Sequence, residues 1–195
     1  MRFVKIFLLL ALVAGSCQAT LQKTLDLDQL VDESSAIVHA RIVASRVDWN
    51  SSHTSIVTLY TVEAGRYLKG SLGSSFELVE LGGQIGNLAM SVAGAPHFPA
   101  GEEVVLFLWT DGIYGRHQAI GFEQGVFRVR KDPASGLKLL NHSAPIRGAG
   151  EVSAAGMTPG RRAASRELNQ FLSEVSDAVA RVAAAQMAAK KAGVR

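Results

Sequence analysis

Two long neighbouring segments, each with apolar residues at every second position, constrain the fold of this chain more than any other feature. Residues 36–49 read AIVHARIVASRVDW, in which apolar side chains alternate with polar ones. Residues 54–68, TSIVTLYTVEAGRYL, are rich in β-branched and aromatic residues, and Gly65 predicts a bend or bulge within them. Alternation of this length predicts two long strands, joined by a polar turn, with one face buried.

The same criteria predict further, shorter strands at residues 76–81, 103–110, 113–122, 125–131 and 137–140. The run EVVLFLWT is apolar on both faces and predicts a central strand. Asp111-Gly112 and the stretch DPASG are turn signals. About seven strands at close spacing indicate a mainly β domain over residues 25–142, either a small antiparallel barrel of the oligonucleotide/oligosaccharide-binding (OB) type or a sandwich.

Helices are predicted on both sides of this domain. The stretch LDLDQLVDESS predicts a short amphipathic helix before the first strand. Residues 143–160 are rich in Gly, Ala, Ser and Pro and predict a linker, and residues 161–191 predict a long amphipathic helix. That helix either packs on the β domain or binds a partner through its apolar stripe. The stripe consists of Leu168, Phe171, Leu172, Val175, Val179, Val182 and Met187.

Residues 1–19 predict a secretory signal peptide. Arg2 and Lys5 precede an apolar run, and small residues up to Ala19 offer a cleavage site. We therefore expect a periplasmic or extracellular protein without a transmembrane span after cleavage. The single cysteine, Cys17, would leave with the signal, so that core packing alone would hold the fold. The alternative is a lipobox at residues 14–17, with Cys17 as the lipid anchor of an envelope lipoprotein that has a scaffolding role.

Charge gives little reason to expect a nucleic-acid partner. The formal net charge of +3 includes the two basic residues of the signal segment, so the remaining chain is close to balance. A nucleic-acid-binding domain usually carries a basic patch or stripe. Export makes such a partner less suitable still, and we expect a protein or glycan partner instead.

The connection from Gly82 to Pro99 is the candidate binding region. Gly82, Gly83 and Gly86 superficially resemble a phosphate loop, but neither the lysine nor the helix that such a loop requires follows them. These glycines are more typical of backbone positions with positive φ or close contacts. Long connections in compact domains often carry binding residues. We therefore name the three glycines, with His97 and Glu102, as candidate binding residues.

No local pattern predicts a catalytic residue, a metal site or a cofactor. The five histidines do not show the close spacing of metal ligands, and no G-x-S-x-G elbow is present. The leading hypothesis is a non-enzymatic binding domain. The alternative is a small metal-dependent hydrolase centred on residues 82–103, with His97 and Glu102 or Glu103. A mixed strip on the later strands could also bind a polymer; it consists of Tyr114, Arg116, His117, Phe127, Arg128 and Arg130.

Five motifs resemble a group of uncharacterised exported bacterial proteins with one β-rich domain. They are SSAIVHARIVAS, TLYTVEAGRYLKG, ELGGQIG, VAGAPHFPAGEEVVLFL and GFEQGVFRV. The resemblance covers residues 25–130 and implies the same fold and compartment. The chain is also distantly similar to netrin-like and metalloproteinase-inhibitor barrels. It lacks their cysteine framework, including the N-terminal cysteine that chelates zinc, so the resemblance does not imply inhibition.

Overall fold

The computed structural model describes residues 24–111, 116–142 and 166–192. Outside these residues lie the predicted signal peptide with Cys17, the predicted linker, and residues 161–165 of the predicted C-terminal helix. The elements in chain order are α1 (Leu27–Glu33), β1 (Ala36–Trp49), β2 (Ile56–Lys69), β3 (Ser75–Leu81), β4 (Gly83–Ile85), β5 (Leu88–Met90), β6 (Glu103–Thr110), β7 (His117–Ala119), a 3-10 turn (Phe122–Gly125), β8 (Val126–Lys131), β9 (Lys138–Asn141), β10 (Arg166–Glu167) and α2 (Leu168–Ala192).

Five strands close into a barrel in the order β1, β2, β3, β7, β6, because β6 also pairs with β1. The pairings within the barrel are antiparallel except for β3 with β7, which is parallel. Strands β8, β9 and β10 extend the sheet from β6, and β4 with β5 forms a separate hairpin. The predicted mainly β fold with flanking helices is confirmed, and the barrel is the one of the two predicted architectures that the chain adopts.

The barrel interior is one of two apolar cores. Alternate residues of β1, β2, β3 and β6 point into it, as the period-two pattern predicts. Its buried members are Val38, Ala40, Ile42, Tyr60, Val62, Phe76, Leu78, Phe98, Val104, Leu106, Leu108, Ala119 and Val126.

A bulge changes which face of β2 is buried. Ala64 lies opposite Ala40 and Arg66 lies opposite His39, so Gly65 has no partner in the ladder, as the sequence predicts. The extra residue shifts the alternation by one position. The unbroken alternation predicted over residues 54–68 places Leu68 on the same face as Ala64, but because of the bulge Leu68 packs outside the barrel against the second core.

The second core lies between the outer face of the sheet and the two helices. Phe171 of α2 is 1% exposed, and its ring lies 4.5 Å from that of Phe127. The buried members of this core are Leu25, Leu30, Val31, Ile37, Val105, Phe107, Ile120, Phe127, Val129, Leu140, Leu168, Phe171, Leu172, Val175 and Ala178. The predicted stripe thus packs on the β domain as far as Val182, whereas Met187 is 73% exposed.

Two predicted element boundaries are wrong. The C-terminal helix begins at Leu168, because the two preceding residues pair with β9 as strand β10. Residues 113–115 of the predicted strand at 113–122 lie outside the described part of the chain, and within residues 116–122 the strand is limited to β7. Gly121 and Phe122 have φ values of 58° and 57°, and two successive residues in the left-handed region end an extended strand. Neither helix of the described residues has the length and apolar character needed to cross a membrane.

Candidate functional site

The three predicted glycines shape the β4–β5 hairpin. The Thr58 hydroxyl donates a hydrogen bond to the Gly82 carbonyl over 2.7 Å. Gly83 has φ +141°, and a Cβ atom there would lie 2.6 Å from Cγ1 of Val47. Gly86, with φ +59°, lies in the turn between β4 and β5, where a Cβ would meet nothing within 4 Å. Gly83 therefore allows the hairpin to lie close to Val47 of β1 and Thr58 of β2, in the part of these strands that we call the β1–β2 arm. Gly82, with φ +106°, allows close approach to the Met90 carbonyl, 3.0 Å from the position of a Cβ. Both are the structural role that the sequence favours over phosphate binding.

His97 lies at the end of the barrel because its neighbour is buried there. Phe98 is 1% exposed and contacts the Tyr60 ring edge-on, with ring centroids 5.0 Å apart. This anchor holds the exposed His97 ring at the rim, with Nδ1 3.1 Å from the Tyr60 hydroxyl. The loop after β5 thus covers one end of the barrel and places a titratable ring at its surface.

An ion-paired arginine organises the same end. Arg128 Nε lies 3.2 Å from Oε1 of Glu102, and its two terminal nitrogens lie 2.6 and 3.0 Å from the Glu123 carboxylate oxygens. Its guanidinium also lies over the Phe98 ring, 5.4 Å from the centroid. Burial lowers the pKa of Arg128, but the hydrogen bonding to Glu123 and the charges of both carboxylates outweigh it and raise the pKa above its ordinary value. We call Tyr60, His97, Glu102, Glu123 and Arg128 the barrel-end cluster.

Glu102 is the member of this cluster with unused hydrogen-bonding capacity. Its side chain is 16% exposed, and Oε2 is buried without a hydrogen-bond partner among the described residues. Burial raises the pKa of Glu102, and the nearby charges of Arg128 and Arg130 only partly oppose this. The carboxyl group therefore sits at the barrel end with one oxygen held by an arginine and the other unsatisfied.

Glu103, proposed in the hydrolase hypothesis, faces away from this cluster. Consecutive residues of a strand point to opposite sides of the sheet. Glu103 contacts His39 Nε2 at 2.6 Å and Lys138 Nζ at 2.8 Å on the outer face. Burial raises the pKa of Glu103, but these two partners outweigh it and hold the pKa below its ordinary value.

The His and Glu side chains of the barrel end are not arranged as a group of metal ligands among the described residues. In residues 24–111, 116–142 and 166–192, no three His, Cys, Asp or Glu side chains gather as metal ligands. The Arg128 guanidinium already supplies the positive charge between Glu102 and Glu123. A divalent cation would have to displace it, and metal sites of this kind are built from ligands without a competing cation.

The mixed aromatic and basic strip does not form one surface. Phe127 packs against Phe171 of α2, whereas Arg128 points to the barrel end. Tyr114 lies outside the described residues. The alternation along β8 separates one apolar and one polar face, which is the ordinary behaviour of a half-buried strand.

Sequence reasoning named two of the cluster's residues, His97 and Glu102, and the structure brings both to Arg128, which donates to the His97 carbonyl over 3.0 Å and pairs with Glu102. It placed Arg128 only in the polymer-binding strip and did not name Glu123. Glu123 lies in an irregular 3-10 turn, so no periodic signal marks it. Comparison with known proteins adds no relative: the chain matches no family model, no curated protein and no solved structure.

Proposed function

We propose that this protein is an exported, non-enzymatic β-barrel domain that binds a protein partner through the barrel-end cluster. The observation that carries this proposal is the buried Glu102 oxygen without a hydrogen-bond partner, next to the exposed His97 ring. A buried acceptor left unsatisfied costs about 1–3 kcal/mol. A partner that draws this oxygen to the surface of the barrel end and donates a hydrogen bond to it would recover much of that free energy on binding.

The chemistry of the cluster favours a donor group, such as a lysine, an arginine or a backbone N–H of the partner. Glu102 and Glu123 supply two carboxylates against the single guanidinium of Arg128. The His97 ring is exposed to solvent beyond its contact with Tyr60, and it can contact the partner beside the group that donates to Glu102. Charged pairs of this kind are typical of the specificity-determining part of a protein interface.

A protein partner suits the cluster better than a glycan. Sugar sites commonly use exposed aromatic faces, because the apolar face of a sugar ring packs on them. Here Tyr60 and Phe98 are each 1% exposed, and their rings pack inside the barrel, where a sugar cannot reach them. What the barrel end presents is charge and hydrogen-bonding capacity.

Binding also suits the cluster better than acid–base catalysis. Both carboxylates are engaged by Arg128, and Glu123 makes two hydrogen bonds to it. A general acid or base needs a proton-transfer path to a substrate atom within hydrogen-bond reach. The contacts described for these carboxylates hold the loop, the 3-10 turn and β8 together.

A photo-cross-linker introduced at His97 in the full-length protein tests the binding site in the native envelope. We expect one protein to be captured there and to be lost when Glu102→Gln is added, while Glu77→Gln leaves capture unchanged. Glu77 is a suitable control because it is an exposed carboxylate on β3 that pairs with Arg46. Equal capture with Glu102→Gln and with Glu77→Gln would contradict the proposed site, and capture of glycan instead of protein would contradict the partner class.

Export is proposed from residues 1–19 alone and needs a separate experiment. Mass spectrometry of protein recovered from the envelope or medium should show a free N-terminus at Thr20. A lipidated Cys17 at the N-terminus would support the lipoprotein alternative. An uncleaved Met1 would contradict the signal peptide.

A further inference from the structure

The barrel strands β3 and β7 are only weakly paired, and we call the junction between them the seam. Among the residues that the structure describes, these strands share a single registered pair, Leu78 with His117. By comparison, β2 and β3 share seven pairs, and β6 and β7 share three. If any pair of barrel strands separates without unfolding the domain, it is this one, because the fewest backbone hydrogen bonds have to break.

A side chain closes the seam beyond this pair. Ile120 N–H donates to Phe107 O over 2.9 Å, and alternation in an antiparallel ladder directs the Ala119 N–H away from β6, toward β3. The acceptor there is Oε1 of Glu80, at 2.9 Å, in place of a backbone carbonyl. The Glu80 carboxyl therefore makes the contact that a longer parallel ladder would make.

The Glu80 side chain is ionisable and is almost completely shielded from solvent. It is 3% exposed and lies on the same face of β3 as Leu78, inside the barrel. The titratable groups that face it are Tyr60 from β2 and Glu123 from the 3-10 turn. On β7 itself, His117 lies on the same face as Ala119, with its ring 5.7 Å from that of Phe76, and burial lowers the pKa of His117. Burial raises the pKa of Glu80 to about 8, the repulsion from Glu123 acts in the same direction, and the hydrogen bond from Ala119 opposes both.

We propose that Glu80 is a pH-sensitive latch: the neutral acid holds β7 against β3, and its ionisation opens this seam of the barrel. The proton is released to solvent, and the carboxylate left behind is hydrated when β7 moves away. Separation at this seam gives the charge access to water with the loss of the fewest hydrogen bonds.

The latch acts on the barrel-end cluster through a short connection. Ala119, which the latch holds, is four residues before Glu123, whose carboxylate binds Arg128. Movement of β7 would carry the 3-10 turn with it and loosen that ion pair. This inference does not depend on the proposed binding function, because it concerns opening of the free protein.

Amide hydrogen exchange of Ala119 in the full-length protein tests the latch. After correction for intrinsic exchange, we expect its protection factor to fall by about fiftyfold between pH 6 and pH 8, since opening is linked to loss of nearly one proton over this range. In Glu80→Gln the protection should stay constant over this range, because the amide oxygen still accepts from Ala119 and cannot ionise. Glu77→Gln, on the same strand, should behave like the wild type.

The ¹³C shift of the Glu80 carboxyl gives a measurement that does not require the variant to fold. We expect its titration midpoint well above that of an ordinary glutamate. A midpoint near the ordinary value, or an Ala119 protection factor independent of pH in the wild type, would overturn the proposal. Loss of protection throughout the barrel, rather than at β3 and β7, would overturn it as well, because opening would then be global.

Discussion

Removal of the Arg128 guanidinium is the most informative perturbation of this molecule. Arg128→Met keeps much of the aliphatic stem and removes the charge that Glu102 and Glu123 share. The side chain of Arg128 is 14% exposed, and those of its two partners are 16% and 25% exposed. The variant therefore leaves two mostly buried carboxylates without their counter-charge.

The expected loss of stability at pH 7 is about 4 kcal/mol, since breaking a buried ion pair by removing one partner costs about 3–5 kcal/mol. Burial already raises the pKa of Glu102, and loss of the opposing Arg128 charge raises the pKa of this carboxyl further above its unfolded-state value. A group whose folded-state pKa is raised destabilises the fold as pH rises through that pKa. The deficit should therefore be largest near neutral pH and shrink as pH falls towards 4.

Urea denaturation of the variant and the wild type at pH 7 and at pH 4.5 measures this. Adding Glu102→Gln and Glu123→Gln to Arg128→Met should recover much of the loss at pH 7, because no buried charge remains. Arg46→Met is the matched control: Arg46 is 57% exposed and pairs with Glu77, and exposed pairs contribute less than about 1 kcal/mol. An Arg128→Met deficit below about 1 kcal/mol at pH 7, or one of equal size at both pH values, would refute the reasoning.

Three further predictions concern the core, the latch and the glycines. Phe171→Ala should lower the free energy of unfolding by about 3–5 kcal/mol, because this side chain is 1% exposed. Met187→Ala should change it by less than about 0.5 kcal/mol, because Met187 is 73% exposed. Equal effects of the two variants in urea denaturation would show that α2 does not pack as described. Glu80→Gln should be more stable than the wild type at pH 9 by at most about 5 kcal/mol, because a pKa raised from 4.5 to about 8 destabilises the closed barrel as pH rises through that range. Opening between β3 and β7 reduces this difference, since it hydrates the carboxylate. The two proteins should be equally stable at pH 4 and differ increasingly above it, and a difference independent of pH would count against the prediction. Gly83→Ala should lower the melting temperature more than Gly86→Ala does. A Cβ at Gly83 lies 2.6 Å from Val47 Cγ1, whereas one at Gly86 meets nothing within 4 Å. A larger decrease in melting temperature for Gly86→Ala would mean that the hairpin does not lie against the β1–β2 arm.

Local patterns were sufficient for the long strands. Strand β6 spans Glu103–Thr110, the boundaries that its apolar run predicts. The bulge at Gly65 was also predictable, because glycine in a long strand marks a place where the chain can bend. The consequence of the bulge for Leu68 was not, because the predicted face assumed an unbroken period of two.

The candidate site was predictable only in part. His97 and Glu102 stood out because they lie in a long connection, which is a local property. Glu123 and Arg128 join them from a 3-10 turn and from β8, and their ion pairs depend on how the barrel brings these segments together. A pattern of residue types along the chain does not encode the distances between these segments in the folded barrel.

The sequence by itself determined that this chain forms a mainly β domain with a helix on either side, since periodicity and turn residues act over a few neighbouring positions. Only the tertiary structure decided that the strands close as a barrel rather than stack as a sandwich. It also decided that α2 covers the outer face, and that Glu80 closes the seam at which β3 meets β7. Closure, docking and the burial of a charge all depend on contacts between residues far apart in the chain, whose free energies local patterns do not contain.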